Sequence, residues 1–195
     1  MAVFWSESTS APMRNYRWQI QMDGFTGNTV VWWAKTSSVP SWDMSEVEHN
    51  YFDNKYYFPG RVTWQDLEVA LVDPVSPSAV QLTHEILKNS NYVIPSSGGA
   101  KKTVSKAAAV GGLKQVVLTL LDTNGTTREQ WTLQNAFIKA AKFGDLDYSN
   151  DDLRQITLTI KYDWAKCEFF DDEGNAVPNQ TYFEKQSAET IEPGG

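Results

Sequence analysis

The sequence has little of the chemistry from which metal sites and active sites are usually built. Cys167 is the only cysteine among the 195 residues, so no internal disulfide can form. The two histidines, His49 and His84, lie in different predicted elements without a metal-ligand spacing, which favours surface or interface positions for both. Motifs such as Gly-x-Ser-x-Gly or a glycine-rich phosphate loop are absent. The sequence therefore predicts no catalytic residue, no bound metal and no cofactor.

One short stretch is rich in side-chain oxygen atoms, as calcium sites are. It contains Asp145, Asp147, Ser149, Asn150, Asp151 and Asp152. The spacing differs from that of a calcium-binding hand, and no glutamate follows at the position of its bidentate ligand. Because Asp and Asn are also common where strands are connected, the stretch predicts a turn.

Basic surface and long apolar runs are also lacking. A total of 17 lysines and arginines against 24 aspartates and glutamates gives a net charge of -7. This balance argues against a protein that grips nucleic acid, although it is compatible with a surface past which nucleic acid slides. The N-terminus has no basic region followed by an apolar run, and no apolar stretch approaches the length of a membrane span. We therefore expect a soluble protein that is made and kept in a cytoplasm.

Aromatic side chains, by contrast, are abundant. They make up 13% of the residues and include 8 tryptophans. Aromatic residues bury a large area with few rotatable bonds, which suits interfaces between proteins. A tryptophan-rich core explains the same composition, so both interpretations stay open at this point.

Alternation of apolar and polar residues predicts a mainly β protein. In the first such segment, Trp18, Ile20 and Met22 alternate with Gln19 and Gln21, which predicts a half-buried strand. Further strands are predicted at residues 29–35, 62–72, 115–121, 126–137 and 156–162. About six to eight mostly antiparallel strands, each apolar on one face, predict a small antiparallel β-barrel or sandwich.

Three further segments stand out between these strands. Residues 42–58 are rich in aromatics and predict an extended hairpin that projects from the body and turns at Asp53 and Asn54. One flanking helix is predicted at residues 77–89, with Ser76 as its cap and Pro77 at its first position. A long loop is predicted after the helix, at residues 91–112.

The ends of the chain lack the strand pattern and predict terminal arms. Residues 1–13 form the predicted N-terminal arm, and residues 14–166 the β-barrel domain. Residues 167–195 lose the alternation and carry seven acidic residues against the single Lys185, which predicts an extended acidic C-terminal arm.

Six segments occur in an order that resembles a known family. They are NYRW at 15–18, SSVP at 37–40, PGRVTWQDLEV at 59–69, WTLQNAF at 131–137, LDY at 146–148 and ITLTIKYD at 156–163. Over residues 13–165 this order resembles the tail tube proteins of contractile-tailed bacteriophages, which are related in fold to type VI secretion tube proteins. The resemblance implies a small antiparallel β-barrel with one flanking helix, and no catalytic residues. It also implies hexameric rings that stack into a hollow tube, through which viral DNA passes.

The resemblance also implies where subunits meet and what lines the bore. The extended hairpin would form the inter-ring interface, through Trp42, Met44, Val47, Tyr51, Phe52, Tyr56, Tyr57 and Phe58. Polar strand positions would face the lumen, namely Gln19, Gln21, Thr157, Thr159 and Lys161. The alternatives are that the aromatics cover the domain's own core and that the polar faces simply meet solvent.

The implied function is that of a structural virion protein of the tail, assembled in the host cytoplasm. Its partners would be other copies of itself, a tail sheath protein, a tape-measure protein, and baseplate and tail terminator proteins. Viral DNA would pass without specific binding. One alternative is a relative of the same fold that does not polymerise, such as a baseplate tube initiator or a tube-terminating protein. An alternative of another class is a secreted carbohydrate-binding β-module or hydrolase that uses Trp32, Trp33 or Trp42.

Overall fold

The computed structural model describes residues 12–26, 31–94, 103–149 and 151–184. The predicted N-terminal arm lies outside the described residues except at its last two positions. The end of the predicted C-terminal arm, from residue 185, lies outside them as well, as does Asn150 of the acidic stretch.

The described chain forms eleven strands and three helices. The strands are β1 Trp18–Met22, β2 Ala34–Ser37, β3 Trp42–Tyr51, β4 Asn54–Trp64, β5 Leu67–Val72, β6 Val116–Leu121, β7 Thr127–Gln134, β8 Phe137–Lys142, β9 Gln155–Lys161, β10 Trp164–Phe170 and β11 Ala176–Tyr182. The helices are α1 Asp23–Thr26, α2 Ala79–Asn89 and α3 Lys106–Leu113. None of these helices is long and apolar enough to cross a membrane.

Two antiparallel sheets build the body, and a third forms the hairpin. The strand orders are β1-β6-β7-β10-β11 in one sheet and β2-β5-β9-β8 in the other, while β3 and β4 pair alone. The apolar faces of both large sheets contribute to one core cluster. The predicted fold class, mainly β and antiparallel with a flanking helix and an extended hairpin, is confirmed. Within the described residues the sheets form no closed barrel.

The core follows from strict alternation in β5 and β9. Ile156, Leu158 and Ile160 are fully buried, and they stand opposite Leu71, Val69 and Leu67, which are buried as well. Full burial of such a side chain contributes about 1.5–3 kcal/mol. The strand with the cleanest predicted alternation therefore lies at the centre of the four-stranded sheet.

Helix α2 begins slightly later than predicted and has a different cap. The carboxylate of Asp73 accepts hydrogen bonds from the Ala79 backbone N–H (2.9 Å) and from the Ser78 hydroxyl (3.2 Å). Arg154 in turn lies 3.2 Å from the other Asp73 oxygen. The prediction that Ser76 caps the helix was wrong, because a carboxylate from the end of β5 satisfies the first backbone donor.

Residues 95–102 of the loop predicted at residues 91–112 lie outside the described residues, and helix α3 begins within the rest of it, at Lys106. The Ser105 hydroxyl caps it by accepting a hydrogen bond from the Ala108 backbone N–H. Gly112 allows α3 to approach α2 closely, since a Cβ there would lie 3.0 Å from the Ile86 carbonyl oxygen. The prediction of a single helix was therefore incomplete.

Three predicted strand boundaries were also wrong. Residues 29 and 30 of the strand predicted at residues 29–35 lie outside the described residues. In the described part the strand begins at Ala34, and Trp33 before it is buried in the core. The strand predicted at 62–72 is divided at Gln65 and Asp66, because Val62 belongs to the hairpin and Leu67 to the sheet. The strand predicted at 126–137 ends at Gln134, and the chain then starts β8, which was not predicted.

The prediction of an extended arm was wrong for residues 167–184. Cys167 lies inside β10, where it is buried and stands opposite Trp131 of β7. Strand β11 then pairs with β10 and forms one edge of the five-stranded sheet. Strand β11 itself carries no acidic residue, and Asp171, Asp172 and Glu173 lie exposed in the turn that precedes it.

Candidate interface on the projecting hairpin

Strands β3 and β4 form a long hairpin, and among the described strands and helices each makes its extensive contacts with the other. Their register runs from the pair Trp42 and Trp64 at the base to the pair Tyr51 and Asn54 near the tip, with Phe52 and Asp53 in the turn. At about 3.3 Å per residue the hairpin is ~30 Å long. The predicted extended hairpin is therefore present, and its second strand continues beyond the predicted end.

The base of the hairpin is held firmly to the body. The Trp64 ring lies 6.0 Å from that of Tyr162 and 5.2 Å from that of Phe183, centroid to centroid. The Lys161 ammonium donates a hydrogen bond to the Trp64 carbonyl oxygen (3.2 Å) and lies 2.7 Å from the Asp66 carboxylate. These contacts fix the direction in which the hairpin leaves the body.

A second lysine strengthens the ion pair at this base. Lys139 of β8 lies 2.6 Å from the second Asp66 oxygen. Hydrogen bonds from Lys139 and Lys161 hold the pKa of Asp66 below its usual value. The ionised carboxylate thus joins the hairpin base to strands β8 and β9.

A bulge interrupts the hairpin between base and tip. The pairing register shifts between Met44 and Glu46, so two residues, Gly60 and Arg61, face Ser45. The Arg61 backbone N–H donates to the Ser45 hydroxyl oxygen (2.9 Å). A Cβ on Gly60 would lie 2.3 Å from that oxygen and 2.8 Å from the Ser45 carbonyl oxygen, so glycine is required there. Such a bulge bends the strand and increases its twist.

The first face of the hairpin is apolar near the base. Cross-strand pairs share a face, and neighbours along a strand alternate between faces. Trp42 pairs with Trp64, and Met44 pairs with Val62. Tyr57 follows on the same face toward the tip. We call these five residues the base cluster.

The second face is apolar near the tip. Val47 pairs with Phe58, and Tyr51 and Tyr56 lie beyond them on the same face. Phe52 occupies the turn, where its ring meets that of Tyr51 edge to face at 4.6 Å. We call these five residues the tip cluster. A partner that covered one face alone would leave one of the two clusters in water.

All eight predicted interface residues are exposed in the single chain. Their exposed fractions range from 45% for Trp42 to 86% for Phe52. They therefore do not cover the domain's own core, which was the alternative. The aromatic residues instead form an extended apolar surface of the kind that marks an interaction site. That this surface joins subunits stays a prediction.

The predicted lumen residues belong to two different sheets. Gln19 and Gln21 lie on β1 and alternate with core residues, so they occupy the outer face of the five-stranded sheet. Thr157, Thr159 and Lys161 occupy the outer face of the four-stranded sheet. Because the inner faces of the two sheets share one core, the two sets lie on opposite sides of the body. We therefore expect only one of the two sets to line a bore. Which of the two sets does so stays a prediction.

The three tryptophans of the carbohydrate-binding alternative do not form one platform. Trp33 is only 6% exposed, whereas Trp32 is 79% exposed. Their rings lie 6.0 Å apart and are inclined by 57°, and Trp42 belongs to the hairpin base. Trp33 and Trp42 thus offer no exposed ring face beside Trp32, although Tyr16 and Trp18 line the same shallow pocket as Trp32.

The titratable groups of the described residues form no cluster of three or more potential metal ligands. His84 is exposed and stacks on Phe143, and His49 is exposed on the hairpin. In the acidic stretch, Asp147 accepts hydrogen bonds from the backbone N–H and the hydroxyl of Ser149, as in a turn.

Burial raises the pKa of the Cys167 thiol to about 12, and the nearby carboxylates of Glu129 and Glu168 raise it further.

Comparison with known proteins finds similar proteins by structure alone. No protein-family model matches the chain, and no curated protein is significantly similar to it in sequence. A chain of the anti-feeding prophage tube-terminating cap is 16% identical, with 87% of this chain and 99% of that chain covered and a TM-score of 0.60. A chain of the anti-feeding prophage baseplate is 15% identical, with 82% of this chain and 97% of that chain covered and a TM-score of 0.59.

A third similar structure comes from an extracellular contractile injection system. A chain of the PVC sheath–tube complex in its extended state is 15% identical, with 87% of this chain and 99% of that chain covered and a TM-score of 0.57. At this identity the likeness establishes the fold. The chain therefore has the fold found in the tube, cap and baseplate assemblies of contractile injection systems, as its resemblance to tail tube proteins implied.

Proposed function

We propose that this chain is the tube subunit of a contractile tail, whose copies form six-membered rings that stack into a hollow conduit. The observation that carries the proposal is the hairpin of β3 and β4, which bears exposed aromatic residues on both faces in a chain of this fold. One of the similar structures, the anti-feeding prophage baseplate, is a six-fold symmetrised assembly, which supports the ring.

The energetics of the tip cluster favour rings over isolated pairs. Full burial of one fully exposed side chain of this kind contributes about 1.5–3 kcal/mol. The five residues are 49% to 86% exposed in the single chain, so burying the cluster contributes on the order of 5–10 kcal/mol per contact. Association costs a similar amount, about 4–15 kcal/mol. A single contact is therefore weak, while several contacts made together between two rings reinforce one another.

Unpaired sheet edges give a second reason to assemble. Within the described chain, β1 and β11 form the edges of one sheet, and β2 and β8 those of the other. Exposed edges invite pairing with another chain. In the proposed ring the sheet of each subunit continues that of its neighbour, which removes edges and leaves one polar outer face along the bore.

The proposed role sets the partners and the place of action. Viral DNA passes through the bore without specific binding, which the net charge of -7 favours by repulsion. A tape-measure protein fills the bore during assembly, a sheath protein surrounds the tube, and baseplate and terminator proteins close its ends. The tube is assembled in the host cytoplasm, acts in the virion tail and catalyses no reaction.

A second candidate function is a ring that starts or ends the tube without repeating along it. The comparisons favour it to a similar degree, because the cap and baseplate structures are as similar to this chain as the sheath–tube complex is. Such a protein uses the same fold and forms single rings.

Electron microscopy of the purified full-length protein distinguishes these functions. We expect long hollow tubes from a tube subunit and isolated rings from an initiator or terminator. Monomers at high concentration would contradict both.

A variant of the tip cluster tests the interface. Tyr51→Ser and Tyr56→Ser are combined with Phe52→Asn, since the φ of 51° at this position suits asparagine. We expect a folded protein that forms rings without tubes. The matched control, Leu146→Ser with Tyr148→Ser, removes two exposed apolar residues from another loop and should leave tubes intact. Tubes formed equally well by the tip variant would refute the interface.

A further inference from the structure

A groove of about 840 Å³ lies between helices α2 and α3 and strand β8. Its apolar lining includes Leu87, Val104, Ala109, Phe137, Ile138 and Phe143. Leu87 and Val104 are 45% and 48% exposed, so no described part of the chain covers this lining. Strand β8 forms one wall and is also an edge of its sheet. The groove is therefore both apolar and open.

Basic side chains surround the apolar part of the groove. Three lysines and one aspartate line it, namely Lys106, Lys139, Lys161 and Asp163. Lys106 lies 2.6 Å from Asp163, and the other two lysines bind Asp66 just outside the lining. The three lysines together with the carboxylates of Asp163 and Asp66 have a net charge of +1.

The projecting hairpin has the complementary chemistry. Residues 42–64 carry four carboxylates against Lys55 and Arg61, a net charge of -2. The tip cluster lies at the far end of the hairpin, with Asp53 in the turn beside Phe52. An aromatic tip with acidic surroundings thus matches an apolar groove with basic surroundings.

The tip cannot occupy the groove of its own chain. Tyr162, which lines the groove, contacts Trp64 at the hairpin base. The tip lies ~30 Å beyond that base. The hairpin strands also make no extended contact with α2, α3 or β8 within the described residues. Only another copy can bring a tip to this groove.

We infer that the groove of one copy receives the hairpin tip of a second copy of this chain. The contact is head-to-tail, so every added copy presents a new tip and a new groove. A head-to-tail contact that does not close on itself propagates into a filament. The inference rests on the proposed function and deepens it, because it names the surface on which a stacked ring receives the hairpins of the ring before it.

Cysteine cross-linking tests this docking directly. One chain carries Asn54→Cys, which lies at the tip on the face of the tip cluster, together with Leu87→Cys in the groove. The native Cys167 is 2% exposed, and its raised pKa keeps it from reacting. The control chain carries Asn54→Cys with Glu85→Cys, since Glu85 is exposed on α2 but does not line the groove.

Mild oxidation should convert the test chain into a ladder of dimers, trimers and larger species on a non-reducing gel. Because docking raises the effective concentration of the two thiols, we expect cross-linking on the order of tenfold or more above the control. A mixture of chains with Asn54→Cys alone and chains with Leu87→Cys alone should stop at dimers. Both results would support head-to-tail docking.

Four results would overturn the inference. Tubes in the microscope without a ladder would refute this docking site and leave the proposed function standing, whereas the absence of tubes, rings and ladder would remove both. A cross-link within one chain would place the tip in its own groove. A Leu87→Cys thiol as unreactive toward maleimide as Cys167 in monomers would show that another part of the same chain covers the groove.

Discussion

At Gly60 the two hairpin strands approach so closely that a side chain has no room. The sequence predicts an end of the hairpin at Pro59 and Gly60, because these residues commonly break strands. In the structure the pair instead marks a bulge, and the strand continues to Trp64. The close approach to Ser45 could not be predicted, since it depends on the register between the two strands.

Gly60→Ala should loosen the hairpin without unfolding the body. The added methyl group would overlap the Ser45 hydroxyl and carbonyl oxygen atoms, so the bulge must open. We expect a local loss of about 1–3 kcal/mol, seen as faster hydrogen exchange over residues 42–64 and unchanged exchange in β9. Gly111→Ala is the control, because a Cβ there meets no atom within 4 Å. Unchanged exchange in the hairpin would contradict the account of the bulge.

Asp66 should make the attachment of the hairpin base sensitive to acid. Its pKa is lowered in the folded state by hydrogen bonds from Lys139 and Lys161, while an unfolded aspartate titrates near about 3.9. The stabilisation is therefore present above the unfolded pKa and is lost as pH falls through the lower folded value.

Urea unfolding of the wild type and of Asp66→Asn measures this contribution. We expect the variant to be less stable near neutral pH and the difference to shrink as pH falls below about 4. Glu46→Gln on the exposed hairpin is a control with the same change of charge. A difference that does not depend on pH would show that the ion pair is not its cause.

At the scale of elements, the sequence predicts best where one pattern decides the structure. Strand β9 was predicted because its alternation is strict, and α2 because it is long and amphipathic. Helix α3 was missed because Gly111 and Gly112 lower its helix propensity. Strand β8 was missed because a bulge between Ile138 and Ala140 breaks its alternation.

Replacing residues 45–61 by Asn-Gly should remove the hairpin and keep the fold. Met44 and Val62 are opposite each other, so a two-residue turn can join them. Within the described residues the excised strands make their extensive contacts with each other, and we therefore expect a thermal midpoint within about 5 °C of the wild type. Electron microscopy should show rings without tubes. An unfolded variant in circular dichroism would mean that the hairpin supports the body.

Truncation after Asp163 should unfold the protein, whereas truncation after Glu184 should not. The first removes β10, which buries Ala165 and Cys167 and pairs with β7. The second keeps every described strand. Thermal unfolding followed by circular dichroism should show a cooperative transition only for the longer chain. A cooperative transition in both would restore the prediction of a dispensable arm from residue 167.

At the scale of the whole molecule, the hairpin was predictable and the bore was not. Clustered aromatics such as Tyr56, Tyr57 and Phe58 indicate an unusual surface already in the sequence. A lumen, however, is created by neighbouring subunits, so the alternation that places Gln19 or Thr157 on an outer face does not say which face turns inward. The groove beside β8 was hidden because it requires α3, which the sequence did not predict.

Cryo-electron microscopy of assemblies formed by the full-length protein would show whether the hairpin joins stacked rings. We expect a hollow tube of stacked six-membered rings in which the hairpin tip of each subunit is buried against the next ring. Monomers at high concentration would contradict the account. So would tubes in which the aromatic residues of the hairpin remain exposed to solvent.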